Sequence, residues 1–155
     1  YNQSAILGEK NNDIILDIIN ECINIKKAIV ESDEQDVGIR NILNFGHTIG
    51  HAIERLSGYE HFTHGHAISI GMVCAVKMFP VEDTDKIFNK LIKILEMYGL
   101  PTELRYGAEE IFEAVKSDKK VDSKFIKFIA LSDMGNAEII KIEMEELMER
   151  LEYIS

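Results

Sequence analysis

All five histidines of the chain, His47, His51, His61, His64 and His66, fall within a window of twenty residues, and the rest of the sequence has none. The segment "GHTIGH" carries His47 and His51 four residues apart, and "THGH" carries His64 and His66 shortly after. His-x3-His places two ring nitrogens on one side of a helix, the spacing used by helical metal sites. A third imidazole follows at "HG", where a loop is expected to give way to another helix. Imidazole is a borderline ligand suited to Zn²⁺, and three of them in one place can bind it or move protons.

Those histidines need a rigid support. If residues 37–56 form one helix, then at 100° per residue Arg40, Asn44, His47, His51 and Glu54 share a stripe roughly 80° wide. Ile42, Phe45, Ile49, Ala52, Ile53 and Leu56 form the opposite, apolar side. Gly46 and Gly50 lie between the two sides and cost helix stability, so something is expected to approach this backbone closely. The competing reading is a solvated polar face. It fits poorly, because surface helices favour Lys and Glu over His.

The surrounding chain reads as mostly helix. Asn12 and Asp13 are expected to cap a helix with apolar positions Ile15, Ile18, Ile19, Cys22, Ile25 and Ile29. Ser57-Gly58 ends the helix of the histidine window. Further helices are expected over about 66–79, stopped by Pro80, and from 84 or 85 to 99, with Pro101 beyond. A short helix follows over about 108–117. The period then changes, and "KFIKFIAL", "SDMGN" and "AEIIKI" read as a β-hairpin near residues 124–142. An acidic amphipathic helix over about 143–153 closes the chain. The expected fold class is mainly α, a single helical domain with one small hairpin.

A chain of 155 residues is long enough to bury one core. Its net charge of −10 argues against a nucleic-acid surface, which needs a basic stripe. Small anionic substrates in a locally basic pocket remain open. Cys22 and Cys74 form no Cys-x-x-Cys pair and sit among apolar residues, so buried free thiols in a reducing cytoplasm are expected. The longest run of apolar or small residues, 67–76, is too short to span a bilayer, and no signal peptide is read. The chain begins at Tyr1 and is expected to be a piece of a longer protein.

The segments "KKAIVESDEQDVGIRNILNFGHTIGHAIE" and "THGHAISIGM" together resemble the 3-dehydroquinate synthase family, most specifically in Arg-x-x-Leu-Asn-x-Gly-His-Thr-x-Gly-His. "GLP" at 99–101 and "SDKK" at 117–120 fall where the family has similar segments, so the resemblance covers about residues 15–142. It implies the helical C-terminal half of a shikimate-pathway enzyme. That enzyme converts 3-deoxy-arabino-heptulosonate 7-phosphate to 3-dehydroquinate and phosphate, using NAD and a metal, usually zinc, with cobalt also serving. His47 and His64 match the two histidine metal ligands. His51 matches the histidine that contacts substrate near its phosphate and helps proton movement. Arg40 and Asn44 match residues that hold the substrate's carboxylate and hydroxyl groups. A guanidinium gripping a carboxylate bidentately suits that role. Lys26, or Lys27 if the alignment is anchored on "KA", matches a substrate-binding lysine, and Lys119 or Lys120 a phosphate contact.

The resemblance carries further expectations and three departures. The family's glutamate ligand and its NAD-binding α/β domain lie upstream of these residues, so the chain alone is expected to be inactive. His66 stands where the family has the glutamate of "HGE", a residue able to orient the neighbouring His64. A cytoplasmic homodimer of the full-length protein is implied. The alternatives are another sugar-phosphate cyclase such as 2-deoxy-scyllo-inosose synthase, a related metal-dependent glycerol or alcohol dehydrogenase, or a non-catalytic metal-binding module. "RNILNFGHT" together with "DKK" favours the dehydroquinate reading, because the dehydrogenases have no phosphate and carboxylate to hold.

Overall fold

The computed structural model describes residue 6 and residues 11–118 and 124–154. Its elements run α1 (Asn12–Ser32), a 3-10 segment (Ile39–Asn44), α2 (His47–Leu56), α3 (His64–Met78), α4 (Thr84–Met97), α5 (Ala108–Asp118), β1 (Phe125–Asp133), β2 (Asn136–Glu143) and α6 (Met144–Ile154). The mainly helical class with one antiparallel hairpin is borne out, and the helix limits after residue 63 fall close to those expected. Contacts divide the chain into two units, one running through Leu43 and one from Asn44 onward.

In the first unit, Asn11 rather than Asn12 or Asp13 caps α1, its side chain accepting from the Asp13 and Ile14 amides. No residue of α1 is buried, and Leu16, Ile19, Ile23 and Ile25 are exposed. Cys22 is exposed too, which corrects the expectation of two buried thiols. After α1 the Asp33 carboxylate gathers three backbone amides, those of Val37 (3.2 Å), Gly38 (2.8 Å) and Arg40 (3.1 Å). These bonds hold the Asp33 carboxyl below its ordinary value of 3.8, the Arg40 amide contributing most.

In the second unit, α3 is the central element. Its residues 67–71 and 73–76 are buried, as a helix that is apolar on every side requires. One side joins Ile70, Cys74 and Met78 to Ile49 and Ile53 of α2, Ile111 of α5, Phe128 of β1 and Leu147 and Leu151 of α6. The other side packs Val73 and Val76 against Ile87, Leu91 and Leu95 of α4. Burial pushes the Cys74 thiol up to about 12, so it behaves as a core residue. The hairpin pairs Phe125 with Glu143 through Asp133 with Asn136, and turns at Gly135 with φ +91°. Ile126, Phe128 and Ala130 alternate onto its buried face. Among the described residues no helix is long and apolar enough to cross a membrane.

The expected continuous helix over 37–56 is not formed. A 3-10 segment ends at Asn44, and α2 starts only at His47. Gly46 between them has φ +79°, a left-handed conformation that ends any α-helix and favours glycine. Arg40 and Asn44 therefore do not share one helical stripe with His47, His51 and Glu54.

Candidate metal centre

The site is set by how closely α2 and α3 approach. A Cβ on Gly50 would lie 2.6 Å from Ile68 Cδ1, and one on Gly46 would lie 2.7 Å from the Met72 amide. What presses on the two glycines is thus α3. The loop over 57–63 returns the chain, and Thr63 caps α3 by accepting from the His66 amide at 3.3 Å. His47 and His64 consequently each occupy the first position of a helix, on two helices in contact.

Three imidazoles meet there. The ring centroid of His47 lies 5.4 Å from those of His51 and His64, both edge to face, and His51 lies 5.8 Å from His64. His47 Nδ1 stands 3.2 Å from the Phe45 carbonyl oxygen, and His64 Nδ1 stands 3.1 and 3.3 Å from the two Glu54 oxygens. A carbonyl and a carboxylate only accept, so each Nδ1 must donate. In the neutral form each ring would then carry its lone pair on Nε2, the atom left to ligate a metal. Burial holds the His47 imidazole below its ordinary value of 6.5; the Phe45 carbonyl opposes this, and His51 and His64 add to it. Burial thus favours the neutral ring.

The donor atoms of His51, Glu54 and His64 also lie within 4.8 Å of one another, and this trio is a possible ligand set by distance alone. His47, which the resemblance matches to a ligand, lies outside that trio, although its ring is 5.4 Å from that of His64. Imidazole nitrogens gathered beside a carboxylate are a donor set that suits a divalent cation.

The other expected site residues are placed unevenly. In the first unit, Arg40 lies in the 3-10 segment, with Nη1 3.4 Å from the Glu34 carbonyl. Lys26 is exposed on α1, while Lys27 pairs with Glu31 at 3.7 Å. Asn44 is exposed at the end of the 3-10 segment. His61 is exposed and His66 half-buried. Lys119 and Lys120 lie outside the described residues. Glu54 is the residue that sequence reasoning left without a role. It stood on the polar stripe three residues after His51, but its partner belongs to the next helix.

Residues 2–121 match the family model described as 3-dehydroquinate synthase C-terminal. The 3-dehydroquinate synthase of Thermoanaerobacter pseudethanolicus is 42% identical over 143 residues, 90% of this chain and 40% of the relative. That of Pyrococcus abyssi is 41% identical over 87% of this chain, and that of Enterococcus faecalis 37% over 90%, again with 40% of each relative covered. The chain thus spans about two fifths of these relatives. A solved structure of 2-deoxy-scyllo-inosose synthase complexed with carbaglucose-6-phosphate, NAD⁺ and Co²⁺ superposes with TM-score 0.68 and 26% identity, over 88% of this chain and 40% of that one. A lone His-x3-His would be weak evidence, but a match over most of the chain is not, and the chain belongs to the 3-dehydroquinate synthase C-terminal family.

Proposed function

We propose that this chain is the metal- and substrate-holding half of a 3-dehydroquinate synthase, a phosphate-eliminating cyclase acting on 3-deoxy-arabino-heptulosonate 7-phosphate. The observation that carries the reading is that His47 and His64 each have Nδ1 against an oxygen acceptor, which leaves Nε2 as the ligand atom of either ring in its neutral form. These two residues would hold Zn²⁺ or Co²⁺, with a further ligand from the N-terminal part of the whole protein. The metal would supply Lewis acidity toward the substrate's hydroxyl oxygens.

The chain's own residues divide the remaining work. Arg40 binds the substrate carboxylate bidentately, and Asp33 holds the backbone from which Arg40 projects. Asn44 hydrogen-bonds a ring hydroxyl. His51, exposed beside His47, moves a proton near the phosphate as phosphate leaves. Lys26 and either Lys119 or Lys120 balance the anionic substrate. NAD is assigned to an N-terminal domain, because no Gly-rich phosphate loop stands in this sequence. The whole protein is taken to be a cytoplasmic homodimer, and the chain alone to be inactive.

A sugar-phosphate cyclase of the 2-deoxy-scyllo-inosose type is the second reading, favoured by the solved structure that superposes on this chain. Its lower identity, 26% against 42%, places it behind. The test is phosphate release by the full-length protein with NAD⁺ and Zn²⁺, offered each substrate in turn. Release with dehydroquinate formation supports the first reading. Release only from glucose 6-phosphate supports the second.

A further inference from the structure

We infer that Glu54 is a positioning residue for His64, a role that rests on the reading of His64 as a metal ligand. The loop between α2 and α3 leaves the His64 side chain 57% exposed, whereas that of Glu54 is 13% exposed. An exposed imidazole on the first residue of a helix is free to turn and to exchange tautomers. The sheltered carboxylate removes both freedoms. Its two oxygens stand 3.1 and 3.3 Å from Nδ1, so the ring nitrogen faces the fork of the carboxylate rather than one oxygen at its edge. Because an ionised carboxylate only accepts, the proton is fixed on Nδ1, and Nε2 is presented as the ligand atom.

The spacing explains why a residue of α2 does this. Glu54 follows His47 by seven residues and His51 by three, so all three lie on one face of α2. The same face that presents His47 therefore orients His64 across the contact with α3. A glutamate in place of His66 would be able to orient His64, and Glu54 supplies that function from the other helix. Direct ligation by Glu54 is the competing arrangement. It would require the carboxylate to leave the Nδ1 proton that both oxygens face.

The test uses full-length protein and the variants Glu54→Gln and Glu54→Ala. Two readouts are taken: ¹⁵N shifts of the His64 ring without metal, and Zn²⁺ affinity by chelator competition. Glu54→Gln keeps an acceptor oxygen of the same reach, so it should retain the Nδ1–H tautomer and lose less Zn²⁺ affinity than Glu54→Ala. Glu54→Ala should shift His64 toward Nε2–H and weaken Zn²⁺ by about 10–100-fold. Unchanged tautomer and affinity in a folded Glu54→Ala protein would overturn the role. Equal loss in both variants, with an altered Co²⁺ absorption spectrum in Glu54→Gln, would overturn it in favour of direct ligation. A wild-type protein that binds no Zn²⁺ would overturn the metal reading of the site and the positioning role with it. Zn²⁺ binding indifferent to Glu54 would overturn the positioning role alone.

Discussion

A Cβ placed on Gly71 would stand 2.0 Å from the carbonyl oxygen of Gly46, so α3 meets the start of α2 backbone to backbone. The obstruction is main chain, which cannot turn aside as a flexible side chain can. Gly71→Ala is therefore expected to push the helices apart and to destabilise by about 3 kcal/mol or more, beyond ordinary overpacking. Thermal unfolding measures the loss, and Zn²⁺ affinity should fall with it as His64 moves from His47. Gly50→Ala should cost less, since its nearest obstacle is the end of the Ile68 side chain.

The His47 imidazole is held below 6.5 by burial, so the unfolded chain binds a proton there before the folded one does. Stability of the metal-free protein should be insensitive to His47 above pH 6.5 and should decline as pH falls below it. Denaturant unfolding at pH 7.5 and 5.5 checks the sign. His47→Asn should flatten that part of the dependence.

Asp33 holds the Val37, Gly38 and Arg40 amides with one carboxylate. Asp33→Ala should release the turn and the backbone under Arg40, raising KM for the proposed carboxylate-bearing substrate. Zn²⁺ affinity should be unchanged, which separates this effect from general unfolding. The lowered pKa of Asp33 means its contribution is present above pH 3.8 and is lost as pH falls through the folded value.

The two cysteines should differ sharply in reactivity. A thiol reagent added to the native chain should label Cys22, which is exposed, and spare Cys74, which is buried with its thiol pushed up to about 12. Mass spectrometry of the labelled peptides reads the result. Both should react after denaturation.

Period and punctuation made α3 to α6 and the hairpin legible, because Pro80, Pro101, Gly99 and the change of period near residue 124 mark their limits. The gathering of His47, His51 and His64 was legible from spacing as well. The break at Gly46 was not, since a helical wheel assumes a continuous helix and a positive φ leaves no mark in a hydrophobic period. The same blindness placed Arg40 and Asn44 on a stripe they do not share with the histidines. Cys22 was read as buried because an apolar period says which residues share a face, and not whether anything covers that face. Glu54 needed the start of α3 to be fixed in space before its partner could be seen.

We propose that His47 and His64 hold the metal while His51 does not. The most direct test is Zn²⁺ titration of full-length protein carrying His47→Ala, His64→Ala or His51→Ala, each checked for folding. The account predicts that the first two abolish stoichiometric binding and that His51→Ala retains it while slowing phosphate release. Zn²⁺ binding that survives His47→Ala and His64→Ala, or that is lost in His51→Ala, would contradict it.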